Sequence, residues 1–92
     1  MRIGTVRVSG PSMVPALRDG DHLLIGRTSR VRAGDVVVAR YRSRPALLVV
    51  KRAVRAQDGG WLLASDNPFV PGLEGVADVE ARVLLRYWRK RA

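Results

Sequence analysis

The sequence predicts an all-β fold of short antiparallel strands with few or no helices, on three observations. Its apolar runs, such as Val36-Val37-Val38-Ala39 and Ala46-Leu47-Leu48-Val49-Val50, are strand-sized. Glycine, proline and Gly-Asp pairs punctuate the chain at short intervals. Near the end, Val79, Ala81, Val83, Leu85 and Tyr87 share one parity, the period of a strand and not of a helix.

Taken in order, residues 2–9 alternate loosely and read as a strand that stops at Gly10-Pro11, where proline removes a backbone donor and fixes φ. Ser12 then opens a turn or short helix. Asp19-Gly20-Asp21 is a tight-turn signal that launches a strand over 22–27, and Ala33-Gly34-Asp35 repeats the phrase before a strand over 36–41. After the turn at Ser43-Arg44-Pro45, residues 47–55 form a strand that pairs through Asp58-Gly59-Gly60 with 61–65 as a hairpin. Asn67-Pro68, Pro71-Gly72 and Gly75 mark 66–75 as loop, and 76–88 carries the last strand.

Ninety-two residues allow one small domain, 1–92, ending in a basic tail over about 86–92. A chain of this size buries about 60–65 percent of its unfolded surface, enough for one core. No uninterrupted apolar stretch reaches the length of a membrane span, and no segment of signal-peptide length precedes Gly10-Pro11. The expectation is a protein without a membrane anchor, located in the cytoplasm. There is no cysteine, hence no disulfide or thiolate chemistry, and the single histidine, His22, cannot build a metal site alone. No metal or cofactor is expected. The net charge of +9 would suit an acidic partner, but the arginines are scattered and only Arg86-Tyr87-Trp88-Arg89-Lys90-Arg91 forms a cluster. With no nucleic-acid-binding motif beside it, that tail reads as a solvated extension or a docking surface for an acidic substrate, with no specific nucleic acid.

Of seventeen basic residues only Lys51 and Lys90 are lysine, so a lysine closing an apolar strand is a chemical signal. In an extended 47–55, Leu47, Val49, Lys51 and Ala53 share one face and Leu48, Val50, Arg52 and Val54 the other. Partial burial disfavours the ammonium form and makes a neutral amine available as a base, a role arginine cannot take. A lysine guarding an exposed sheet edge is the competing reading of the strand alone. Ser12, in Val8-Ser9-Gly10-Pro11-Ser12-Met13-Val14-Pro15-Ala16-Leu17, is the candidate nucleophile. Gly10 permits close approach, Pro11 stiffens the turn, and the backbone amides of Ser12 and Met13 are candidate oxyanion donors because Pro11 has none.

These residues resemble the signal peptidase I and LexA-like superfamily of Ser-Lys proteases. Gly10 to Leu17 followed by Gly20-Asp21 is similar to the nucleophile box, Gly34-Asp35-Val36-Val37-Val38 to the second-strand phrase, Val50-Lys51-Arg52-Ala53-Val54 to the lysine box, and Ser65-Asp66-Asn67 to the Gly-Asp-Asn box. The resemblance implies Ser12 as nucleophile, Lys51 as general base, Val8, Met13, Leu17, Val49 and Val50 as the lining of shallow pockets for small side chains, and Asp66 and Asn67 as structural supports. Two features depart from it. The Ser-x-Asp-Ser-Arg box, whose serine positions the lysine in signal peptidases, is missing after Asn67, so the sequence names no partner for Lys51. Gly10 stands where some members carry an oxyanion-hole hydroxyl.

Within the superfamily, Gly34 to Arg40 and Leu47 to Arg55 resemble the nickel-type superoxide dismutase maturation proteases. That implies a serine endopeptidase that removes a short N-terminal extension from a protein precursor. Two other readings stay open: a signal peptidase-like protease with another substrate, and a non-catalytic basic binding module.

Overall fold

The computed structural model describes residues 2–27, 30–70 and 75–89. Six strands form among them: β1 (Arg2–Arg7), β2 (His22–Arg27), β3 (Val36–Tyr41), β4 (Leu48–Gln57), β5 (Gly60–Ala64) and β6 (Ala77–Trp88). No helix occurs among the described residues, and every strand pair is antiparallel. The all-β expectation holds, with strand ends shifted by a residue or two. At the β4–β5 hairpin Asp58 and Gly59 take φ of 51° and 76° and make a two-residue turn, so pairing continues to Gln57 and Gly60. Positive φ at both positions matches the right-handed twist of the flanking strands. Of the loop expected over 66–75, positions 71–74 lie outside the described residues.

The strand order is β1-β2-β6-β3-β4-β5, and β5 pairs again with β6 through Trp61 and Ala77. Strands β6, β3, β4 and β5 therefore close into a small barrel, with β1 and β2 as an open wing beside it. Closure depends on Gly60. A Cβ there would lie 2.5 Å from the Ala77 carbonyl oxygen and 2.6 Å from Val76 Cγ1, so only glycine lets β5 pass so close to β6.

Alternation along β3 builds two cores. Val37, Ala39 and Tyr41 pack inside the barrel with Ala53 and Ala77, while Val38 packs under the wing with Val8, Met13, Leu17, Leu23, Ile25 and Ala81. The shared parity of Val79, Ala81, Val83, Leu85 and Tyr87 does make a strand, but not one face. Val38 pairs with Ala81 and Ala39 with Val79, leaving Glu80 as an extra residue. This bulge sends Val79 to the barrel core and Ala81 and Val83 to the wing core. Further shifts opposite Leu24/Ile25 and His22/Leu23 leave Leu85 and Tyr87 exposed.

The two Gly-Asp phrases fold alike. In Arg18-Asp19-Gly20-Asp21 and Arg32-Ala33-Gly34-Asp35 the aspartate amide donates to the arginine carbonyl three residues back, at 3.0 Å in both. The glycines, at φ 87° and 96°, supply the positive φ of a type II turn. Each aspartate Oδ2 also accepts the arginine amide, at 2.9 Å.

Candidate active site

Ser12 lies in the connection between β1 and β2, which is tied at its base. Val8 N–H donates to Asp21 O and Gly20 N–H to Val8 O, both at 2.8 Å, so the β1–β2 ladder continues past the strand ends. Above that base, Gly10 N–H donates to Asp19 Oδ1 at 2.8 Å. A tight turn follows, with Val14 N–H on Pro11 O (3.1 Å) and Leu17 N–H on Met13 O (2.8 Å); the Val14–Pro15 peptide is cis. The four-residue spacing turns Met13 and Leu17 inward together. Met13 is completely buried, and Leu17 packs beside it in the wing core. Removing a buried side chain of this kind costs about 2–5 kcal/mol, so these two residues anchor the segment that presents Ser12.

Lys51 sits in β4 opposite Val37 of β3, on the barrel-facing side that Val49 and Ala53 share. Only 8% of it is exposed, and burial pushes its amine below the ordinary lysine value. Lys51 Nζ donates to Ser65 Oγ at 2.8 Å. This is the partner the sequence did not name. It arises from the hairpin register. From the turn, Gln57 faces Gly60, Ala56 faces Trp61 and Arg55 faces Leu62, but Ala53 then faces Leu63, so Val54 is an extra, bulged residue. Without that bulge the next positions would bring Asp66, a carboxylate, opposite Lys51; with it, Ser65 arrives there.

Three consecutive residues after β5 hold the two halves of the site. Ser65 meets Lys51. Asp66 receives Arg52 Nε at 3.1 Å and also pairs with the guanidinium Nη2, while Arg52 Nη1 reaches Gly34 O at 3.0 Å. Asn67 clamps the serine turn, its amide N–H donating to Ser12 O at 2.9 Å and its side-chain Nδ2 to Pro11 O at 3.0 Å. Asn67 Oδ1 accepts Phe69 N–H at 3.0 Å, which fixes the carboxamide orientation.

Ser12 and Lys51 line one cleft of about 350 Å³, between the end of β1 and the start of β4. Val8, Val49 and Val50 line it too, together with Val6, Ser9, Leu47 and Leu48. Met13 and Leu17, expected as pocket lining, belong instead to the core behind it, because the turn points them inward. No hydrogen bond joins Ser12 Oγ to Lys51 Nζ, and the amides of Ser12 and Met13 donate to no acceptor among the described residues. The cleft walls have unused backbone edges. Among the described residues β1 pairs only with β2, and β4 from Leu48 to Lys51 pairs only with β3, since the pairing with β5 ends at Arg52 and Ala64.

One arginine of the basic tail is held by the fold. Arg89 pairs with Asp21, its Nη2 lying 2.9 Å from Oδ2; positions 90–92 lie outside the described residues. Among the described residues, no group of three or more His, Cys, Asp or Glu side chains gathers where a metal could bind, and no helix is long and apolar enough to cross a membrane.

Against models of protein families, residues 2–84 match the family described as Peptidase S24-like. No curated protein matches the sequence.

Proposed function

Because this chain belongs to the Peptidase S24-like family, we propose that it is a serine endopeptidase in which Ser12 attacks the scissile carbonyl and Lys51 takes the proton. The observation that carries this reading is the placement of Ser12 and a buried Lys51 on the walls of one cleft. A desolvated amine is neutral at lower pH than a free one, and its lone pair can accept the serine proton. Ser65 Oγ takes one N–H of that amine and leaves the lone pair for Ser12, so Ser65 acts as a positioning residue.

As the Ser12 Oγ–carbon bond forms, the hydroxyl proton moves to Lys51 Nζ and the carbonyl oxygen becomes an oxyanion. The free amides of Ser12 and Met13 are the donors proposed for it. The tetrahedral adduct then breaks its carbon–nitrogen bond, and the Lys51 ammonium protonates the departing amine. Water attacks the resulting ester, gives its proton to Lys51, and releases the new carboxyl end as the proton returns to Ser12 Oγ.

The substrate is an extended segment of a protein. It would lie as an added strand between the free edges of β1 and β4, with main-chain hydrogen bonds for affinity and small side chains against Val8, Val49 and Val50. The resemblance to the maturation proteases names the candidate: the N-terminal extension of a nickel-type superoxide dismutase precursor. Mixing the protein with that precursor from the same organism and reading the new N-terminus by mass spectrometry tests this. An uncut precursor, with Ser12 still acylated by a serine-reactive probe, removes the substrate and keeps the peptidase. Wild-type protein whose Ser12 resists acylation removes the peptidase.

A further inference from the structure

Asp21 is the most enclosed charged group among the described residues, with 0% of its surface exposed, and the chemistry above does not use it. Its carboxylate lies just under the surface, closed off by Arg89. The guanidinium donates from Nε to Oδ1 at 3.0 Å and Oδ2 at 3.2 Å, and from Nη2 to Oδ2 at 2.9 Å. The same Nη2 reaches Ala16 O at 3.2 Å, in the turn that carries Ser12. The Arg89 hydrogen bonds hold the Asp21 carboxyl below its ordinary value, against the opposing effect of burial.

Asp21 in turn binds the base of the Ser12 connection. Its carboxylate accepts Arg18 N–H and its carbonyl accepts Val8 N–H. Arg89 thus touches both the base of this connection and, through Ala16, its crown. It arrives there at the end of β6, where Trp88 pairs with His22 and packs edge-on against its ring at 4.9 Å. From this geometry we infer that Arg89 is a positioning residue for Ser12: a lock, delivered by the last strand, that sets the attacking hydroxyl without touching Lys51. The inference rests on the reading of Ser12 as the attacking group.

The lock makes a specific separation of effects. Arg89 contacts only the serine side, so its loss lowers the rate of attack and leaves the pH midpoint of the rate, set on the lysine side, where it was. The experiment follows p-nitrophenol release and the acyl adduct on Ser12 from the p-nitrophenyl ester of N-acetyl-dialanine, using the full chain. Arg89→Gln is expected to cut the maximal acylation rate at least about tenfold, the cost of one misplaced charge-assisted contact, with half-saturation and pH midpoint unchanged. Arg89→Lys should recover part of the rate, and Arg44→Gln, which removes an exposed charge elsewhere, none of it lost. Amide hydrogen exchange should quicken at Gly10, Val14 and Leu17 in Arg89→Gln but not in β3 or β4.

Wild-type acylation rates in Arg89→Gln overturn the inference. So does exchange that quickens throughout the sheet, which would make Arg89 a general stabiliser. A wild-type protein that acquires no adduct overturns the reading of Ser12 and, with it, the lock; an adduct formed equally in both proteins overturns the lock alone.

Discussion

The connection that carries Ser12 and the strand that carries Lys51 meet at one cleft, but they are fixed by different forces. Ser12 stands on irregular backbone whose shape depends on named hydrogen bonds, from Asp19, Asn67 and Arg89, over two inward apolar anchors. Lys51 stands on regular backbone, paired with β3 and enclosed by the barrel side of the sheet, with one side-chain hydrogen bond to Ser65. Under the proposed mechanism the serine side controls where the attacking oxygen lies, and the lysine side controls the protonation state of the base. Substitutions on the two sides should therefore fail in different ways, and that difference can be measured.

The largest effect belongs to the lysine itself. Lys51→Arg and Lys51→Met should both lose about 10²- to 10⁴-fold in turnover or more, because arginine stays protonated and the methionine thioether is too weakly basic to take the serine proton. The two should differ in stability. Burial lowers the Lys51 pKa from 10.5, so below its folded value the native state bears the cost of an enclosed charge, and stability rises with pH from there up to 10.5. Lys51→Met should thus raise the thermal midpoint at neutral pH, with the gain shrinking as pH rises through that window. An active Lys51→Arg protein would exclude the general-base role.

Next come the two residues that hold the halves together. Each contributes a hydrogen bond of about 1 kcal/mol, so each alanine variant should lose roughly five- to tenfold in rate. Asn67→Ala frees Pro11 O and loosens the serine turn; the maximal rate should fall with its pH midpoint unmoved. Ser65→Ala removes the acceptor that the ammonium form uses, leaves the charge more poorly solvated, and should move the midpoint of the rate profile to lower pH. If Asn67→Ala shifts the midpoint and Ser65→Ala does not, the division of labour is reversed.

These two sides were unequally legible in the sequence. The strands could be read because the apolar runs are strand-sized and bounded by glycine, proline and Gly-Asp turns, and the flanking residues singled out Ser12 and Lys51, which line one cleft. Ser65 could not be read. Its arrival opposite Lys51 depends on one bulged residue, Val54, and unbulged pairing from Asp58-Gly59 gives Asp66 instead. A bulge responds to how two strands twist around a barrel, which local composition does not state. Arg89 was hidden for another reason: its partner is 68 residues away, and a tail of like charges reads locally as solvated. Met13 and Leu17 did carry a usable signal. Their spacing of four, across a single turn closed by Leu17 N–H on Met13 O, places both on one side, and that side is the core.

The smallest predicted effect sharpens the comparison most, because it uses two copies of one motif. The Arg18 to Asp21 and Arg32 to Asp35 turns share their glycine conformation, their backbone bond and their aspartate-to-amide bond. They differ in what tertiary contact adds. Both turns are tied through backbone in the same way, Gly20 N–H on Val8 O with Val8 N–H on Asp21 O and Gly34 N–H on Ala53 O with Ala53 N–H on Asp35 O, all at 2.8 Å, but of the two aspartates it is Asp21 that is also sealed beneath an arginine, Arg89. Asparagine at position 35 keeps an oxygen for Arg32 N–H, so Asp35→Asn should change stability by no more than about 0.5 kcal/mol. Asp21→Asn should cost more, because the carboxamide NH₂ faces the donors of Arg89 wherever its oxygen serves Arg18. The Asp21 pKa lies below 3.8, so its stabilising contribution is complete above that value and is lost as pH falls through the folded pKa. Urea midpoints at about pH 7 and about pH 2.5 should therefore show Asp21→Asn far from wild type at the first and closer at the second. Equal losses for the two variants would mean that the turn, and not the arginine closing over it, makes Asp21 matter.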